Sequence, residues 1–324
     1  MSDDLLPAPG GVAVWTARVV AELRARGHHV DLFGRWREGL EDGVGVRQRS
    51  FARWGHLGLA ARSARALARA DRVVATTWPV APPGHRGWVI AHGSDITAPA
   101  LRPGRQRRVL GRARVGAVSR YLAEQARALG ATAEVLPAAV HIPATTPVPR
   151  RSLRTVVWAG RMVTGKAGDR FVRLVAALGV HGIMVGDGPL RSRWEALAGD
   201  LGASVRFTGW RPHASMEACW RRADLLLMVP RRVEGLGLVA VEAAACGVPV
   251  AALPAGGLAE VVGPGLRLDP RGTSADWAAQ VTRWWTPSRG GEAWEHARRH
   301  HGVERTVEAL LSPWPGAPTP AGKP

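Results

Sequence analysis

Two glutamates, Glu234 and Glu242, stand eight positions apart in the segment EGLGLVAVE. Between them Gly235 and Gly237 let backbone approach a ligand closely, and the apolar run from Leu238 predicts a helix whose free N–H groups and positive dipole end suit an anion. Glu234 falls on the loop before that helix and Glu242 about one turn inside it, so both carboxylates can face one pocket. On spacing alone, two solvated or capping glutamates would give the same pattern. A second group lies in GRMVTGK at 160–166, where a β-type run ends at Gly160 and Arg161 and Lys166 follow on the loop. An arginine fork and a point-charge ammonium placed there could grip a pair of phosphates. Lysine occurs only at Lys166 and Lys323, every other basic residue being arginine, which marks Lys166 as a place where an ammonium is needed.

The elements that must carry these residues alternate. GVAVWTARVVAELRARG at 11–27 has Val12, Val19, Val20 and Leu23 near helical spacing and ends on a glycine suited to a C-cap. The strand VDLF at 30–33, a helix at 61–70, and strands at 72–77, 88–92 and 115–119 follow, then helix YLAEQARALG and strand AEVLP. HIPATTPVPRRS at 141–152, proline-rich and without apolar periodicity, reads as a linker. Beyond it the rhythm restarts with TVVWAG, DRFVRLVAALG, IMVGDG, RSRWEALAGDLG, SVRFTG, DLLLMVP, LVAVEAAACG, VPVAAL and GLAEVVG. Short β-rich runs alternating with helices predict an α/β fold of two doubly wound domains, with ligands at the carboxyl ends of parallel strands. The expected division is 1–146, 147–311 and a proline-rich, disordered tail at 312–324.

Composition bounds the function classes. With 46% hydrophobic and 22% charged residues in 324, the chain can bury two cores. Two cysteines give no disulfide framework, no Cys/His cluster has zinc spacing, and no apolar run approaches the roughly 18 residues of a membrane span. Asp3 and Asp4 stand where a signal peptide carries positive charge, so a cytoplasmic setting is expected. The net charge of +18 accompanies an arginine-rich, lysine-poor composition and lacks any zinc-finger or RNP-type aromatic pattern, so nucleic acid is not the expected partner. The densest basic run, RPGRQRRVLGRAR from Arg102 to Arg114, reads as a solvated helix face or as a surface for peripheral contact with an anionic membrane.

Five ordered segments, GRMVTGK, VGDGPLRSRWEALAGDLG, VRFTGWRPH, RRVEGLGLVAVEAAACGVPVAA and GGLAEVV, together resemble the nucleotide-binding half of the retaining family 4 glycosyltransferases. The resemblance implies the GT-B fold, two Rossmann-like domains facing each other across a cleft, the first binding acceptor and the second binding donor. It implies that Arg161 and Lys166 hold the donor's diphosphate, that Glu234 lies by the transferred sugar, and that Glu242 contacts the ribose. Gly235, Leu236, Gly237 and Leu238 form the donor loop, Leu236 standing where the family usually has phenylalanine. Trp210 and Arg211 stand in the segment that receives the base. In the first half Gly10 and Gly11 resemble the family's glycine-rich loop, and HGSD at 92–95 resembles its H-G-x-D, placing His92 near the sugar. A lone histidine at a strand end is otherwise more often structural than catalytic.

Departures stand beside these matches. Only Leu5 and Leu6 could supply the apolar first strand, Ala167 takes the place of the glycine expected after Lys166, and Ala138, Ala139 and His141 replace the usual Asn-Gly and Asp. The implied reaction moves a sugar from a UDP- or GDP-linked donor to a glycan or lipid-linked acceptor, in cell-envelope polysaccharide or glycolipid synthesis. It needs no cofactor beyond the nucleotide diphosphate sugar and no metal, since the chain has no Asp-x-Asp. The alternatives are a sugar-nucleotide-binding protein of the same fold that has lost transfer, and an epimerase or phosphorylase, whose signatures are missing. A Rossmann dehydrogenase is disfavoured because no G-x-G-x-x-G follows a first strand.

Overall fold

Residues 10–32, 69–81, 87–98, 100 and 102–313 are described by the computed structural model. The first sheet holds four parallel strands in the order β1 (Val74–Ala75), β2 (Trp88–Ala91), β3 (Arg114–Ala117), β4 (Thr132–Val135). Every residue of β2 is buried, as expected of a strand covered on both faces. Helix α1 (Gly11–Ala25) opens at Gly10, whose φ of 156° suits glycine, and buries Ala13, Trp15, Thr16 and Val19. Two short helices, α2 (Ser94–Thr97) and α3 (Pro103–Leu110), precede β3, and α4 (Arg120–Ala128) follows it, capped by Ser119 Oγ accepting from Leu122 N–H.

The second sheet has six parallel strands in the order β10-β9-β8-β5-β6-β7. These are β5 (Thr155–Ala159), β6 (His181–Val185), β7 (Val205–Phe207), β8 (Leu225–Met228), β9 (Val250–Ala252) and β10 (Leu266–Arg267). The chain starts at the centre with β5, runs outward through β6 and β7, then crosses back to β8 and runs outward the other way. The order reverses between β5 and β8, which opens a crevice at their carboxyl ends where doubly wound sheets hold ligands. Helices α5 (Gly168–Leu178), α6 (Arg191–Asp200), α7 (Met216–Trp220), α8 (Leu238–Ala245) and α9 (Leu258–Val261) form the connections. The segment 141–154 has no regular structure, as expected of a linker. It is nevertheless held: Trp294 Nε1 donates to Pro143 O, and a Cβ on Gly247 would meet Pro147 at 2.2 Å.

Several expectations need correction. Val30–Leu32 form no strand among the described residues, the segment having a single β-branched residue and an aspartate, a residue depleted in strands, and Phe33 lies outside the described residues. The run at 72–77 contributes only Val74–Ala75. In α1 Val12 and Val20 are half-buried, the core side being set by Ala13, Trp15, Thr16 and Val19. The helix expected at 61–70 falls outside the description up to residue 68, as do Leu5, Leu6 and residues 314–324. After β10 come three helices without an assigned pattern, α10 (Ser274–Trp284), α11 (Arg289–His300) and α12 (Val303–Leu311). Although α12 lies within 147–311, it packs on the first unit. Trp88 Nε1 donates to Leu310 O at 3.0 Å, Arg26 Nη2 to Glu304 O at 3.2 Å, and Val140 bridges Gly302. No helix among the described residues is long and apolar enough to cross a membrane.

Candidate active site

The loops leaving β5 and β8 are tied together by backbone, Arg231 N–H donating to Gly165 O at 3.0 Å and Arg232 N–H to the same oxygen at 3.3 Å. A bidentate pair adds to this, Arg231 Nη1 and Nη2 reaching Asp169 Oδ1 and Oδ2 at 2.6 and 2.5 Å. The guanidinium holds the Asp169 carboxyl below the usual carboxylate range. Inside this frame Lys166 Nζ donates to both oxygens of Glu234, at 2.7 and 2.8 Å. The two residues singled out 68 positions apart are therefore direct partners. Arg161 is exposed on the same loop and leaves its guanidinium open to a ligand's oxygens.

The glycine turn after Glu234 is pressed against the first unit. A Cβ on Gly235 would meet His92 O at 2.7 Å and Gly93 Cα at 3.0 Å, and Ser119 Oγ donates to Gly235 O at 2.6 Å. Leu236 is buried, and Gly237, at φ 84°, starts α8 from a left-handed conformation that favours glycine. Behind the turn, the Glu260 carboxylate of α9 accepts from Arg120 N–H at 2.8 Å and Tyr121 N–H at 2.7 Å, capping α4 of the first unit. The carboxyl ends of both sheets thus meet at one seam. Gly11 faces the seam too, its ideal Cβ lying 3.7 Å from Leu238 Cδ2, so a methyl there would fit.

His92 sits where β2 ends. Its ring meets Trp15 edge to face at 5.2 Å, and Nε2 is shielded from solvent with no partner. Burial pushes its pKa down to about 3, so the imidazole is neutral and can accept or donate one hydrogen bond. Asp95 turns back to accept from His92 N–H at 3.1 Å and Gly93 N–H at 2.7 Å. Burial raises the Asp95 carboxyl to about 6, against those same amide donors. Its second oxygen, Oδ2, is also buried without a partner. His92 thus carries an unpaired, enclosed imidazole nitrogen, and its backbone abuts the glycine turn.

Glu242 is buried on α8 and accepts at Oε1 from Arg18 Nη2 of α1 at 2.9 Å. The same Nη2 meets His213 Nε2 at 2.6 Å, and Arg18 Nη1 donates to Ala139 O at 3.4 Å. Burial, with the Arg18 charge adding to it, lowers His213 to about 4 and keeps it neutral. Trp210, 54% exposed, and Arg211, also exposed, stand on the loop leading to His213. All the predicted residues except these two are within or adjoining the contacts described above.

Sequence reasoning missed Arg18, Ser119 and Glu260. Ser119 had a readable signal, a serine directly before a helical run. Arg18 had none, being one arginine among many on an amphipathic helix. Among the described residues no group of three His, Cys, Asp or Glu side chains is arranged to hold a metal ion.

Residues 153–286 match the family model described as glycosyl transferases group 1. A 2-deoxystreptamine N-acetyl-D-glucosaminyltransferase of Streptomyces fradiae is 36% identical over 182 residues, covering 52% of this chain and 38% of the relative. The alignment therefore spans well under half of that curated relative. Among solved structures, WaaG, a glycosyltransferase involved in lipopolysaccharide biosynthesis, superposes with TM-score 0.67 at 19% identity, covering 96% of this chain and 98% of that one. Anabaena HepE in complex with UDP and glucose gives TM-score 0.70 at 20% identity, covering 95% and 97%. The two-domain fold is the GT-B fold of those glycosyltransferases.

Proposed function

We propose that this chain, a GT-B protein whose residues 153–286 match the group 1 glycosyl transferases, transfers a sugar from a nucleoside diphosphate to an acceptor hydroxyl with retention at the anomeric carbon. The observation that carries the proposal is the Lys166–Glu234 contact at the switch point between β5 and β8, closed over by the His92–Gly93 turn of the other domain. A cation and a carboxylate pair there beside a helix N-terminus, and the backbone of His92 closes on the same glycine turn.

In this reading the leaving diphosphate is received by Arg161, Lys166 and the first N–H groups of α8, all preorganised where negative charge grows. Side-chain cations then do the work that a bound divalent ion does elsewhere. Glu234, released from Lys166 when the diphosphate arrives, orients sugar hydroxyls and stabilises positive character at the anomeric carbon. His92 Nε2 supplies a hydrogen bond to the sugar. Trp210 and Arg211 receive the base, and Glu242 the ribose. The acceptor enters through the first domain, and closure at the seam excludes water. Envelope glycan or glycolipid assembly is the process we favour. The exposed Arg102, Arg107, Arg108 and Arg112 on and beside α3 suit peripheral contact with an anionic membrane, while Arg105 and Arg114 are engaged by Pro79 O, Ala81 O and Glu134.

The test is a thermal-shift panel of UDP-, GDP- and ADP-sugars on wild type and on Arg161→Ala with Lys166→Ala, because a ligand of the folded state raises its melting temperature. A shift with one nucleotide class that disappears in the double variant supports the donor site and names the base. No shift with any of them, in a well-folded sample, overturns it. A shift without turnover on any glycan or lipid-linked acceptor would favour the alternative of binding without transfer.

A further inference from the structure

Arg18 of α1 crosses into the second domain and is mostly buried there, 15% exposed against 7% for Glu242. Its guanidinium touches three separate pieces of chain: Glu242 on α8, His213 on the loop after β7, and the carbonyl of Ala139 at the end of the first domain. Desolvating a charge this far is costly unless it is fully paired, so the contact is a fixed part of the closed seam. We propose that Arg18 is a positioning residue that holds the Glu242 carboxylate ionised and aimed at the nucleotide's ribose, so that donor binding in the second domain depends on a residue of the first.

The proposal rests on the donor-site reading above and adds to it a residue that none of the donor motifs contains. Three chemical points support it. Glu242 is buried on a helix among alanines and valines, an environment that alone favours the protonated acid, and burial does raise its pKa while Arg18 opposes the rise. A protonated carboxyl has lost half its capacity to accept from a vicinal diol, so the charge matters to a ribose and not only to the fold. The other groups around Glu242 cannot replace Arg18: His213 is neutral, its Nδ1 lying 3.8 Å away, and the Cys246 thiol one turn on is pushed up to about 11 by burial and by Glu217 and Glu242.

The experiment is calorimetric titration of UDP, GDP and ADP into wild type, Arg18→Gln, Arg18→Lys and Glu242→Gln across pH 5.5–8.5, with circular dichroism to verify folding. Wild type is expected to bind one nucleotide with little dependence on pH. Arg18→Gln should bind it at least tenfold more weakly at the acid end and recover as pH rises and Glu242 ionises. Arg18→Lys should restore the flat profile. Adding Arg18→Gln to Glu242→Gln should cost nothing more, because the residue acts through that carboxylate. Equal affinity and an unchanged profile in Arg18→Gln would overturn the proposal, as would a loss that is the same at every pH and is not rescued by lysine. If Arg18→Gln fails to fold, Arg18→Met, which keeps the apolar stem without the charge, takes its place and is read by the same criteria. Absence of nucleotide binding in wild type would overturn the donor-site reading itself, a result distinct from binding that Arg18 does not influence.

Discussion

Lys166 Nζ lies 2.7 and 2.8 Å from the two carboxylate oxygens of Glu234, so the ammonium offered to phosphate and the carboxylate offered to sugar neutralise each other at rest. Lys166 is 37% exposed and Glu234 13%, which leaves the pair partly screened and its worth to folding small. An incoming diphosphate competes with Glu234 for the lysine. Opposite outcomes are therefore expected for the two partners. Lys166→Ala should weaken UDP or GDP binding at least tenfold, about 1.4 kcal/mol. Glu234→Gln frees the ammonium and should leave nucleoside diphosphate binding unchanged or tighter, while turnover falls by about 100-fold or more. Calorimetry beside a turnover assay reads both. Parallel losses of binding in the two variants would mean that the pair is structural.

Two alanines occupy backbone conformations that favour glycine, Ala139 at φ 55° and Ala167 at φ 53°. Both stand where the resemblance to the glycosyltransferases implies a glycine that this chain lacks, and both are buried. A left-handed residue with a Cβ costs about 1–2 kcal/mol. Glycine would relieve that strain but lose a buried methyl, about 0.8 kcal/mol, and add freedom to the unfolded chain. Ala139→Gly and Ala167→Gly should therefore change stability by less than about 1 kcal/mol in urea unfolding, whereas Ala167→Val, β-branched at the same φ, should cost about 2 kcal/mol or more. A clear loss in both glycine variants would show that the methyl groups matter more than the backbone.

These alanines also show how the sequence could and could not be read. The second sheet was legible because parallel strands buried on both faces are continuous apolar runs, such as the LLLM of β8. Of the helices from 274 onward, α11 was not, since RGGEAWEHARRH lacks a dominant apolar stripe, whereas the Thr273–Asp276 capping box marks the start of α10 and Val303, Val307 and Leu310 stand at helical spacing in α12. In the site, the rarity of lysine pointed to Lys166 and the glycine spacing pointed to Glu234. That they bond each other, and that Arg18 reaches Glu242 from 224 positions away, are tertiary facts without a local signal.

Acid should unfold the protein through its buried histidines. His92 and His301 are lowered to about 3 and His213 to about 4, all chiefly by burial, so each is neutral when folded and takes up a proton near 6.5 when unfolded. A folded pKa below the unfolded one means that the stability present above pH 6.5 is lost as pH falls towards the folded value. Asp95, raised to about 6, acts in the other direction, its contribution being lost as pH rises through 6. Glu242, also raised by burial, acts the same way as Asp95, while His296, lowered by burial, adds to the histidines, which outnumber the two carboxyls four to two. The melting temperature should fall from pH 7 to pH 5, and His301→Gln should fall less steeply than wild type. Superimposable slopes would rule out His301 as a contributor.

The seam between the domains admits a sharper test at Gly235, whose φ is ordinary, so that only space forbids a side chain. A Cβ there would meet His92 O at 2.7 Å and Gly93 Cα at 3.0 Å, which are backbone atoms that cannot rotate away, and Leu122 Cδ1 at 3.2 Å. Overpacking of this kind costs about 1–3 kcal/mol, and the cheapest relief is to part the two domains along the seam. Gly235→Ala should then keep each sheet folded and, near pH 8.5 where Glu242 ionises without Arg18, retain nucleoside diphosphate binding within a few-fold, because Arg161 and Lys166 are untouched, while at pH 5.5 it should bind as weakly as Arg18→Gln. Transfer should be lost, since His92 and the acceptor side move away from Glu234. Circular dichroism, calorimetry with UDP and GDP, and turnover separate these effects. Full transfer activity in Gly235→Ala would show that the closed contact between the His92 turn and the glycine loop has no part in the reaction.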